Sequence, residues 1–107
     1  MSLEIFESEK AVRDVIEAAD FVAQIRGLNA SDTFMDAIKE TYQLIAFMPR
    51  IGTLRDYDNP LFAGMRMLPV PRYPKYLIFY ALSDEQVKIL RVLHSARNIQ
   101  EIFTPNE

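Results

Sequence analysis

Apolar positions in this chain keep a helical period twice and then abandon it. Val12, Val15, Ile16, Ala19, Val22 and Ala23 recur three and four apart, with Asp14, Glu17 and Asp20 off the stripe. That spacing predicts an amphipathic helix. Ser8 is placed to cap it, and Glu9 falls at its positive end. Gly27 ends it, since glycine accepts the left-handed backbone of a helix C-terminus. In "LNASD", Asn29 or Ser31 offers the next cap, and Phe34, Ile38, Thr41, Ile45 and Met48 mark a second helix. Pro49 stops that helix at Met48, because proline disfavours helical backbone in the residue before it. Two helices joined by a few residues pack antiparallel as a hairpin. Ahead of them, "LEIF" (Leu3–Phe6) reads as a first strand.

After "MPRIG" the period changes. "TLRDYDNPLFAG" carries the Asp, Asn, Pro and Gly of a loop. "MRMLPV" reads as a strand that Pro69 and Pro71 push toward a sheet edge or an early end. "KYLIFYAL" has no alternation, which predicts a strand buried on both faces, with "YLIFY" central and Ile78 in the core. "SDEQ" is a turn, "VKILRVLH" the returning strand, and "NIQEIF" a short final helix. The expected fold is α+β, in the order β-α-α-β-β-β, with a helix hairpin packed on an antiparallel sheet.

Composition narrows the function classes. A chain of 107 residues is one small domain, 1–107, and its 50% apolar content excludes disorder. There is no cysteine and one histidine, so neither a disulfide framework nor a zinc site is expected, and no cofactor motif is present. The apolar run "YLIFYAL" falls far short of the roughly 20 residues that span a bilayer. "MSLEIFESEK" lacks a basic stretch followed by an apolar one, so the cytoplasm is the expected location and a membrane partner is not. Charge is uneven: residues 1–49 hold four basic and nine acidic residues, residues 50–97 eight basic and four acidic. Two solvated surfaces are the stronger reading of this composition, and a face that meets an anionic partner is the alternative.

The second half also carries a resemblance. "GMRMLPV", "RYPKYLIFY" and "VKILRVLHSARNIQEIF" closely resemble the signature of the ParE/RelE superfamily of type II toxin–antitoxin toxins. Gly64, Arg66, Tyr76, Ile78, Tyr80, Arg91, His94 and Arg97 fall on its pattern, and "FMPRIG" matches its Pro-x-x-Gly exit from the second helix. The ParE (plasmid stabilisation) branch looks closer than RelE. The resemblance implies the same helix hairpin on an antiparallel sheet. It also implies a toxin held inactive by a cognate antitoxin, with DNA gyrase as the target of the ParE branch. The RelE branch would instead cut messenger RNA on the ribosome, and a third reading is an inactive scaffold that binds antitoxin.

These readings assign the residues differently. In a nuclease, His94 would protonate the departing 5′ oxygen while Arg66, Arg91 and Arg97 neutralise phosphate. In a binding protein, His94 closes the strand end by bonding to nearby backbone. Arg66 or Arg91 then pairs with a carboxylate of this chain or of the antitoxin. Side chains alternate along a strand, so Arg91 and His94 share a face only if the strand bends or bulges near Leu93. Phe103 is the single aromatic after His94, leaving the tail no phenol to stack on a base. That absence favours the binding protein. Met65, Met67, Leu68, Tyr73, Tyr76 and Arg91 are then the expected partner-binding residues, with the tyrosines and apolar side chains equally suited to the core.

Overall fold

The structure is a computed structural model that describes residues 2–105. Strand β1 (Glu4–Glu7) leads into helices α1 (Glu9–Arg26) and α2 (Leu28–Phe47). Then come β2 (Thr53–Leu54), a 3-10 turn (Pro60–Phe62), β3 (Arg66–Val70), β4 (Tyr73–Leu82), β5 (Gln86–His94) and α3 (Ile99–Phe103). The five strands form one sheet in the order β1-β5-β4-β3-β2, so β4 is central as its composition requires. All neighbours are antiparallel except β1, which runs parallel to β5 because the hairpin returns the chain to the same end.

The hairpin covers one face of the sheet. Between the two lies a core that includes Val15, Phe34, Ile38, Ile45, Ile78, Tyr80, Ile89 and Val92. The opposite face holds a smaller core of Met65, Phe79, Leu93 and Phe103, closed by α3 and the 3-10 turn. Strand β4 contributes to both, which explains its lack of alternation.

Several local expectations need correction. The buried stripe of α1 is Ala11, Val15, Ala18 and Ala19, while Val12 and Ile16 are exposed. Small alanines flanking Val15 let the helix approach the sheet closely, and Val12 and Ile16 turn outward. Asp14, expected in solvent, has a side chain only 8% exposed. Neither Asn29 nor Ser31 caps α2, because Gly27 (φ 92°) both ends α1 and precedes the first residue of α2. Ser31 instead donates 2.8 Å to the Ala19 carbonyl and ties the two helices together. The stretch read wholly as loop contains β2, which pairs Thr53 with Met67 and Leu54 with Arg66.

A bulge sets the faces of β5. Phe79 pairs with Arg91 and Tyr80 with Ile89, leaving Leu90 as the extra residue. Val87 and Ile89 before it and Val92 after it therefore all reach the helix-side core. From Arg91 to His94 the pairing is regular, so these two side chains leave opposite faces.

Candidate functional site

At the Arg66 end of β3 the chain leaves α2 through Pro49–Gly52, and Tyr80 holds that exit. Its buried hydroxyl donates to the Pro49 carbonyl (2.7 Å) and accepts from the Gly52 N–H (2.8 Å). A Cβ added at Gly52 would lie 2.6 Å from that hydroxyl, so the Pro-x-x-Gly glycine is required by close approach. Arg66, opposite Tyr80 across the strands, donates through one terminal nitrogen to the carbonyls of Arg50 (3.1 Å) and Gly52 (2.7 Å). Burial raises the Tyr80 pKa, and the Gly52 N–H and the Arg66 charge partly offset the shift.

Arg91 is bound inside the protein. The β1 pairing stops at Ile89, leaving the rest of β5 with an open edge, and two side chains close it. Ser8 donates to the Leu90 carbonyl at 2.7 Å. Asp14 accepts the Val92 N–H at 3.0 Å and takes the Arg91 guanidinium in a two-point grip, Nε at 2.7 Å and a terminal nitrogen at 2.9 Å. These charge-assisted bonds raise the Arg91 pKa.

His94 stands at the other end of β4, opposite Tyr76, whose ring meets the imidazole edge-on at 5.1 Å. Its Nδ1 accepts the Ala96 N–H at 3.0 Å, and its carbonyl accepts the Arg97 N–H at 3.0 Å. Together these bonds turn the chain out of the strand. His94, Arg97, Tyr76, Glu17 and Asp14 border a shallow cleft of about 170 Å³ between α1 and the end of β5. Burial raises the Tyr76 pKa here.

The four residues of the nuclease reading are therefore not gathered into one cluster. His94 and Arg97 share the cleft, and Arg91 reaches it only through Asp14. Arg66 lies across β4 and four residues along it from His94, a backbone separation of roughly 16 Å at ordinary strand spacings. Among the described residues no group of three His, Cys, Asp or Glu side chains is placed to hold a metal.

The expected partner surface is also rearranged. Met65 is fully buried on the α3 side of the sheet and cannot meet a partner in this conformation. Met67 packs on that same side and Leu68 on the helix side, as strand alternation dictates, so the three form no single docking surface. Tyr73 and Tyr76 are half-buried and pack edge-on against Phe34 at 5.1 and 5.0 Å. Two pairings central to this geometry escaped the sequence reading, although it named the residues. The Pro-x-x-Gly pattern marked Gly52 without its partner Tyr80, and nothing local marks Asp14 as the acid that Arg91 reaches from 77 positions away.

A family model described as the ParE toxin of the type II toxin-antitoxin system, parDE, matches residues 5–99. A solved structure described as the chromosomal ParDE TA system from P. aeruginosa shares the fold, with a TM-score of 0.71 at 18% identity. The alignment covers 87% of this chain and 96% of that one. No curated protein sequence matches the chain significantly. The fold, the ordered motifs and the family match agree that this chain belongs to the ParE toxin family of type II toxin–antitoxin systems.

Proposed function

We propose that the free protein acts by binding DNA gyrase in the cytoplasm, and that a cognate antitoxin neutralises it by folding onto its surface. The observation that carries this reading is the Arg91–Asp14 pair. An arginine poised for phosphate needs its donors free, whereas this one spends two of them on an internal carboxylate. Arg66 is similarly committed to the exit from α2, and His94 to its own turn. The signature residues thus support a rigid binding protein. The structural relative's description as a ParDE TA system supports an antitoxin partner.

Ribosome-dependent RNA cleavage is the second reading, favoured by the cleft that His94 and Arg97 share. Purified toxin is added in parallel to a gyrase supercoiling reaction and to ribosomes programmed with messenger RNA. Inhibited supercoiling with intact message is the expected result. Cleaved message with normal supercoiling would reverse the assignment.

A further inference from the structure

The tip of the helix hairpin is apolar although it stands in solvent. Phe21 and Ile25, one turn apart on α1, are 57% and 63% exposed, and Leu28 across the Gly27 turn is 77% exposed. Single apolar residues scattered over a surface are ordinary, but three large ones at one helix end mark a contact site. The core does not require them, since Val22 packs inward from the same stretch of α1. Just behind the tip, the Ser31 bond to the Ala19 carbonyl holds the two helices together. The three side chains are therefore presented on a fixed support.

Shape and charge select the occupant. The tip is a convex helix end, and the grooves lie elsewhere: one of about 190 Å³ lined by Leu44 and Pro71, and the cleft beside His94. A segment that folds on binding takes a groove or a strand edge, whereas a projecting knob suits a hollow in a partner already folded. Residues 17–32 hold three acidic side chains, Glu17, Asp20 and Asp32, and one basic, Arg26. None of the four makes an ion pair among the described residues. Glu17 lies one turn before Phe21 and Asp32 one turn after Leu28, so carboxylates rim the apolar tip. Such a surface is repelled by nucleic acid and complements the cationic surface that a DNA-handling enzyme must present.

We infer that Phe21, Ile25 and Leu28 form the knob by which the toxin enters a cation-rimmed apolar hollow on gyrase. This rests on the gyrase reading above. The test uses purified gyrase holoenzyme, with supercoiling inhibition and direct binding measured for each toxin variant. Phe21→Glu and Ile25→Glu are each expected to weaken both roughly 30-fold or more, as for central interface residues. Asp32→Lys should weaken binding about tenfold, mainly through slower association. Leu61→Glu, in the 3-10 turn and 85% exposed, should change either readout less than about twofold. Circular dichroism of each variant should match wild type, since every substituted side chain is exposed.

Wild-type potency in folded Phe21→Glu and Ile25→Glu would overturn the knob and leave the gyrase reading standing. An equal loss in Leu61→Glu would do the same. Absence of gyrase binding and inhibition by the wild-type toxin would overturn both. The product of the small open reading frame beside the toxin's own serves as the second partner. If Phe21→Glu weakened that complex and spared the one with gyrase, the tip would be an antitoxin surface and the inference would fall.

Discussion

Strand β4 has two ends, and the family's signature residues are treated differently at each. At the Tyr80 end every polar signature group is spent on the protein itself: the hydroxyl on Pro49 and Gly52, Arg66 on the loop carbonyls. At the Tyr76 end the side chains are half-exposed and border an open cleft, with His94 committed through one ring nitrogen and Arg97 exposed. Arg91 lies between and belongs with the first group, because its carboxylate partner comes from this chain. A shared sequence pattern thus mixes residues that hold the fold with residues still available to a partner, and only their contacts separate them.

The contrast is tested most severely at Arg91. Its side chain and that of Asp14 are 18% and 8% exposed, so removing one partner leaves a largely buried charge unpaired. Arg91→Met should cost about 3 kcal/mol in chemical denaturation, the lower part of the range for breaking a buried pair. Asp14→Asn in the same chain should recover part of that loss. A loss below about 0.5 kcal/mol would place Arg91 with the exposed group instead.

Gly52→Ala tests the Tyr80 end. The new methyl collides with a hydroxyl held on both sides, so the bonds must open or the loop must shift. About 2 kcal/mol of destabilisation is expected, within the range for overpacking. A thermal midpoint equal to wild type would mean that the exit from α2 is looser than its geometry.

Alkaline pH compares the tyrosines. Burial raises the pKa of Tyr42, Tyr76 and Tyr80, and at Tyr42 the neighbouring Glu7 and Asp14 charges add to it. An unfolded tyrosine ionises near pH 10, so the native state binds more protons above that pH. Their contribution is complete below about pH 10 and falls as pH rises through the folded-state values. Denaturation between pH 8 and 11 should show declining stability, and Tyr42→Phe should flatten the decline more than Tyr76→Phe does. Equal slopes would remove the distinction.

Much of the fold could be read from the residues. The two helical periods, Pro49 and the unbroken apolar run of β4 located the hairpin and the central strand. What escaped depends on contacts distant in sequence. Strand β2 exists only by pairing with β3, and in "VKILRVLH" the polar residues Lys88, Arg91 and His94 fall three apart, which fits no strand period and does not single out Leu90 as the bulge. Counting large apolar residues put Val12 and Ile16 on the buried face of α1, where close helix–sheet packing favours Ala11 and Ala18; Val15 and Ala19 are buried as expected. Parity did separate Arg91 from His94, since the strand is regular between them. Their partners Asp14 and Ala96 became visible only in three dimensions.

The smallest stability effect is expected at the open end. His94→Gln should cost about 0.5–1.5 kcal/mol, the worth of one hydrogen bond, here the contact with the Ala96 N–H. The same variant provides the most direct test of whether the protein acts by binding. Wild-type and His94→Gln toxin, matched for folded concentration, are assayed for inhibition of gyrase supercoiling and for ribosome-dependent RNA cleavage. The expected result is equal inhibition of supercoiling by both proteins and no RNA cleavage by either. Robust cleavage by wild type, abolished in a well-folded His94→Gln protein, would contradict the account and make the His94 cleft a nuclease site.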